Sequence, residues 1–132
     1  MRNICEILSE SKNIAVVGLS DKPGRDSRSI ALFLKRQGYN VAGVNPLCSV
    51  ENVDGIKVYR SLKDVPFEID IVDVFRRSSA IPELIPDVLA VKPKVLWLQL
   101  GIQNDDAVQP AIEAGIETIQ NKCILIEYRD CK

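Results

Sequence analysis

Histidine is absent from the 132 residues. That excludes Ser-His and Cys-His catalytic pairs and His-ligated zinc, and it removes the side chain most often used to move protons near neutral pH. Cysteine is sparse: Cys5, Cys48, Cys123 and Cys131, none in a C-x-x-C spacing. With no secretory signal ahead of the first helix-like segment, this implies a reducing, cytoplasmic compartment rather than a disulfide framework. No apolar run approaches the ~20 residues of a membrane helix. A net charge of −1 supplies no global basic field for nucleic acid or an anionic membrane, so cations must be judged locally.

What is present suits one globular domain over residues 1–132, with an apolar fraction of 46% and a charged fraction of 27%. There is no internal repeat, linker or low-complexity tract. A chain this long can bury roughly two-thirds of its unfolded surface.

Residues 2–11 read as a short helix with Ile4, Ile7 and Leu8 on one face. The β-branched run 14–17 ends at Gly18, as in a strand buried on both faces. Ser27 reads as the N-cap of a helix carrying Ile30, Phe33 and Leu34 and stopping at Gly38. A second strand, 39–44, is closed by Asn45-Pro46. Asp54-Gly55 signals a turn, and Val58-Tyr59 a short edge strand. Strand 69–75 precedes a helix with Ile81, Leu84, Ile85, Val88 and Leu89 inward, bent at Pro86. Strand 95–100, a helix capped by Asn104 and interrupted by Pro110, and strand 116–119 follow; the tail 121–132 carries no clear pattern. Strand and helix alternate, which predicts an α/β fold with a doubly wound parallel sheet of about five strands.

Ligands of such sheets bind outside the carboxyl ends of the strands. The loop after the first strand holds Gly18, Lys22, Arg25 and Arg28 before a helix start, and the loop after Phe75 adds Arg76 and Arg77. Helix N-terminal amides with nearby cations form a seat for an anion, here the diphosphate of a nucleotide-like ligand. The loop is not G-x-G-x-x-G, and Asn45-Pro46 stand where a dinucleotide site places an acid for the ribose. No G-K-[ST] follows, so it is not a Walker loop either.

Gly18-Leu-Ser-Asp-Lys-Pro-Gly-Arg-Asp-Ser27, Val44-Asn-Pro46, Val72-Asp-Val-Phe-Arg-Arg-Ser78 and Trp97-Leu-Gln-Leu-Gly101 together resemble the small stand-alone bacterial CoA-binding domain proteins. These are Rossmann-like and similar to the CoA-binding domain of the succinyl-CoA synthetase alpha subunit. The resemblance covers nearly the whole chain in order and spacing. It implies coenzyme A or an acyl-CoA across the strand ends. The diphosphate would meet Gly18, Leu19, Ser20, Lys22, Pro23 and Arg25; Asn45, Pro46, Val74, Phe75 and Arg76 would line the nucleotide; Leu100 and Gly101 complete the edge. CoA carries about four negative charges, which suits several cations better than NAD does. Arg76 is a candidate phosphate clamp or adenine stack, with an ion pair to Asp73 or Asp70 as its competing role.

Near the C-terminus the family pattern Asp-Arg-Cys-Pro-Lys-Ile-Glu-His is replaced by Asn121-Lys-Cys-Ile-Leu-Ile-Glu-Tyr128. Cys123 and Glu127 match; the aspartate, proline and histidine do not, and roles that need them do not transfer. Cys123 reads as an inert buried thiol or as a partner for the pantetheine thiol in a mixed disulfide. Trp97 and Tyr59 read as packing residues and Glu127 as structural. The succinyl-CoA synthetase reaction uses a phosphohistidine in a further domain, and both are missing. The expectation is a binder of a small nucleotide ligand without catalysis, without nucleic acid and without membrane. The alternatives are an NAD(P)-dependent oxidoreductase, or a regulatory interaction protein with a vestigial pocket.

Overall fold

The run Asn13–Val17 (β1) is the middle strand of the sheet, buried along nearly its whole length. The computed structural model describes residues 2–131. These form seven strands and five α-helices: α1 (Ile4–Glu10), β1, α2 (Asp26–Arg36), β2 (Asn40–Val44), β3 (Asn52–Val53), β4 (Ile56–Tyr59), β5 (Ile71–Val74), α3 (Ile81–Val91), β6 (Val95–Leu98), α4 (Asp105–Glu113), β7 (Glu117–Ile119) and α5 (Ile124–Asp130). The sheet order is β3-β4-β2-β1-β5-β6-β7.

Six of these strands are parallel, and only β3 runs antiparallel, against β4. Numbered among themselves, the parallel strands follow the order 3-2-1-4-5-6 of a dinucleotide-binding α/β sheet, with the winding reversed between β1 and β5. The strand count therefore exceeds the expected five. The short strand expected at Val58-Tyr59 is a full parallel member, β4, and the unexpected β3 is too short at two residues to carry any periodicity. The β3–β4 hairpin turns through Asp54 and Gly55, both at positive φ (51° and 89°), as a two-residue turn of the I′ kind requires.

The two faces of the sheet bury separate halves of the core. Ile14, Val16, Ile71, Val95 and Trp97 pack under α1, α2 and α5. Ala15, Val17, Val72, Val74, Leu96 and Leu98 pack under α3 and α4. Trp97 is fully buried, and its Nε1 donates to the Lys122 carbonyl at 2.8 Å. Pro86 and Pro110 both lie inside continuous helices.

Two local expectations change. Helix α2 begins at Asp26 with Arg25 as N-cap. Ser27 lies inside its first turn, where its hydroxyl accepts the Ser20 N–H at 3.0 Å. The patternless tail contains α5, and Cys131 at its C-cap is joined to Cys5 of α1 by a disulfide. Their sequence separation of 126 hides the pairing from any local spacing rule. α1 and α5 cover the same sheet face and bring the Cα atoms to 5.6 Å. Among the described residues, no helix is long and apolar enough to cross a membrane.

Candidate functional site

Doubly wound sheets bind ligands where the winding reverses, which here is at the carboxyl ends of β1 and β5. The end of β1 is locked to both its neighbours: the Phe75 N–H, just after β5, donates to the Val17 carbonyl at 2.8 Å, and the Gly18 N–H donates to the Val44 carbonyl of β2 at 2.7 Å. Gly18 has φ +91°, and a Cβ there would lie 2.7 Å from the Phe75 carbonyl oxygen. Only glycine lets the chain turn that close to its neighbour. Leu19 then drops its side chain into the core, completely buried, over Gly43. A Cβ at Gly43 would stand 2.4 Å from Leu19 Cδ2, so Gly43 makes the space that Leu19 fills.

The loop from Ser20 to Arg25 is built on short polar bonds. The Lys22 N–H donates to Ser20 Oγ at 3.1 Å, and Ser27 Oγ holds the Ser20 N–H. Asn45 joins this loop to the one after β2. Its Nδ2 donates to the Leu19 carbonyl at 2.9 Å, and its Oδ1 accepts the Leu47 N–H at 2.9 Å. Both ends of the Asn45 amide are thus spent on positioning the loops, and Pro46 beyond it is exposed.

No side chain caps α2, so its first-turn amides face the loop. Lys22, Pro23 and Arg25 are exposed beside them. Neither the Lys22 ammonium nor the Arg25 guanidinium has a partner among the described residues. Arg28 differs. Its Nε and Nη2 donate to Asp54 Oδ2 at 3.0 and 2.7 Å, and its Nη1 to the Asp21 carbonyl. It is a strut between this loop and the β3–β4 turn, so the cluster of available cations is smaller than the sequence count. Arg77 is exposed, with its Nε on Ser79 Oγ at 3.1 Å.

Arg76 is half-buried and makes no ion pair among the described residues. Both competing acids are accounted for elsewhere. Asp70 accepts the Lys12 and Asn13 N–H groups at 2.8 and 2.9 Å and sits 3.6 Å from Lys94 Nζ. Burial pushes its carboxyl up, but those N–H bonds and Lys94 outweigh that and leave it below the ordinary range. Asp73 is wholly buried on the α1/α2/α5 face, and burial pushes its carboxyl well above the ordinary value.

Arg76 instead borders a cleft of about 170 Å³ on the α3 face of the strand ends. Val17, Val44 and Leu62 supply buried apolar surface, Pro46, Ala80 and Leu84 line it further, and Arg60, Ser61, Glu83 and Asp87 add polar groups. Val74 is buried in the core layer on the same face, and Phe75 packs against the opposite layer. Arg60, Leu62, Ala80 and Leu84 were missed by sequence reasoning. The available signal was the strand at Val58-Tyr59: if parallel, its carboxyl end also opens on the ligand edge, and Arg60 is the next residue.

On the far side of the edge, Leu100 is 63% exposed, and the Gly101 N–H donates to Asn121 Oδ1 at 2.7 Å. Cys123 is half-buried as the N-cap of α5, with its thiol free, and the next N–H, of Ile124, donates to Gln99 Oε1 at 3.1 Å. Glu127 lies within that helix.

A larger hollow, about 860 Å³, opens at the opposite, amino edge of the sheet between Lys12, Asn40, Tyr39, Tyr128 and the Cys5–Cys131 bridge. Among the described residues, Lys12 is its one cationic lining residue. It lies away from the α2 N-terminus and from Lys22, Arg25 and Arg76.

A family model described as a CoA binding domain matches residues 12–129. The uncharacterized protein YneT of Bacillus subtilis (strain 168) is 40% identical over 125 residues, which span 95% of this chain and 91% of that protein. The alpha subunit of acetate--CoA ligase [ADP-forming] I of Pyrococcus furiosus is 26% identical over 120 residues, 83% of this chain but 26% of the subunit. Among solved structures, that of cell-free ID.343 from Thermus thermophilus superposes with a TM-score of 0.94 at 36% identity, covering 99% of this chain and 100% of that one.

Proposed function

The chain belongs to the CoA binding domain family, and from that premise we propose that it binds coenzyme A or an acyl-CoA across the carboxyl edge of its sheet, without catalysing a reaction of its own. The observation that carries this reading is the uncapped start of α2 with Lys22 and Arg25 unpaired beside it, at the reversal of the winding. Backbone amides and two free cations there match a diphosphate.

The rest of the ligand follows from the lining. Val17, Val44 and Leu62 offer an apolar bed for the adenine, and the Arg76 guanidinium can lie against its face. Asn45, with both ends of its amide engaged, keeps the two loops in register. It also leaves no carboxylate at the end of β2 to repel a phosphorylated ribose or to accept the hydroxyls of NAD. With no histidine in the chain to serve as a general base, the ligand is held rather than converted.

Thermal melting tests the proposal. CoA at 100 times its dissociation constant contributes ~2.7 kcal/mol of stability, on the order of 8–10 °C in Tm for a domain of this size. NADH at the same concentration leaves Tm unchanged, and Arg25→Ala abolishes the CoA shift. No shift with millimolar CoA rejects the reading, and a larger shift with NADH replaces it with the oxidoreductase.

A further inference from the structure

Among the described residues the carboxyl-edge cleft holds two guanidiniums, Arg60 just after β4 and Arg76 just after β5, and neither has an acidic partner. Its volume, about 170 Å³, is below the roughly 300–1,000 Å³ of pockets that enclose a whole drug-sized ligand, so it admits one ring system. One arginine is enough to stack on such a ring. A second, unpaired one points to an anion beside the ring.

That anion is not the diphosphate, which has its own seat at the start of α2 with Lys22 and Arg25. Nor can Arg28 serve the ribose side of the ligand, because Asp54 and the Asp21 carbonyl occupy its guanidinium. The acids of the cleft, Glu83 and Asp87, both stand on α3, and Asp87 is 3.7 Å from Lys63 Nζ. The cleft is thus polarised. Its helix wall is acidic, which suits the amino group of an adenine, and its strand-end wall is basic, which suits a phosphate on the attached ribose.

We propose that Arg60 reads the 3′-phosphate of the ligand's adenosine, so that the protein selects CoA over dephospho-CoA while Arg76 stacks on the base. This rests on the CoA reading above and adds a discriminating residue to it. A guanidinium holds a phosphate dianion by paired, charge-assisted N–H bonds, and a ligand without that phosphate leaves Arg60 in solvent with nothing to hold.

The test is calorimetric titration of the full chain with CoA and with dephospho-CoA, in the wild type, Arg60→Ala and Arg60→Lys. The wild type binds CoA at least about tenfold more tightly than dephospho-CoA. Arg60→Ala weakens CoA by about tenfold and leaves dephospho-CoA within about twofold, which erases the preference. Arg60→Lys keeps the charge without the fork and recovers part of it. Arg60 is exposed, so the melting temperature of each ligand-free variant, unchanged from wild type, separates loss of recognition from loss of fold. Equal affinities for the two ligands in the wild type, or an equal loss of both in Arg60→Ala, overturns the role of Arg60 while leaving CoA binding intact. Failure of the wild type to bind either ligand overturns the CoA reading and this inference together.

Discussion

Asp73 lies beside Val16 of β1 and Trp97 of β6 with both carboxyl oxygens buried and unpartnered among the described residues. A charge there is expensive, so the native state keeps the proton. The sign of the pH dependence follows. Below the unfolded value, about 4, both states are protonated and the group is neutral to stability. As pH rises, the unfolded chain ionises freely while the folded chain cannot, so stability falls until the raised native value is passed. Melting curves from about pH 4 to pH 8 should show that decline, and Asp73→Val should flatten it and add roughly 1–3 kcal/mol at neutral pH. An unchanged slope in the variant would mean that Asp73 is ionised and paired. At this scale the sequence made Gly18 and Trp97 legible, because a glycine after a β-branched run and a tryptophan inside one each have few physical explanations. It left Arg76 between a ligand and two aspartates, since proximity in sequence does not show that Asp73 faces the core while Asp70 is held by Lys12, Asn13 and Lys94. The Arg28–Asp54 pair spans 26 residues and was equally invisible.

The strands and helices were readable where apolar patterning is long enough to have a period, as in β1, β5, α3 and β6. Two-residue β3 has none. The seven-residue α5 is fixed by tertiary bonds, with Ile124 held to Gln99 and Cys131 bonded to α1, and not by a strong face of its own. α5 and α1 are therefore the elements most dependent on covalent support. A bridge closing nearly the whole chain constrains the unfolded state, an effect of typically 2–4 kcal/mol. Melting with and without dithiothreitol should show a loss of that order, and Cys5→Ser should reproduce it without reductant. Thiol titration of the unreduced protein should find only Cys48 and Cys123 free. Four reactive thiols in the native protein, with no change of Tm on adding reductant, would contradict the bridge.

For the molecule as a whole, alternation of strand and helix was enough to predict a doubly wound sheet, because right-handed crossovers leave few other arrangements. The same reasoning singled out the carboxyl edge as the candidate ligand edge before any side chain was placed. What alternation could not supply was which of the cations gathered there are free, a matter of partners contributed by distant loops. With a net charge of −1 the overall field offers a polyanion nothing, so the CoA proposal assigns its attraction to a few local groups, Lys22, Arg25, Arg60 and Arg76. Such exposed contacts are screened as ionic strength rises and the Debye length falls from about 10 Å at 0.1 M to about 3 Å at 1 M. The most direct measurement is calorimetric titration of the full chain with CoA at low and at high salt. Saturable binding of one CoA per chain, weakening as salt is raised, is the predicted result. A flat titration with millimolar CoA at low salt would contradict the account at its centre.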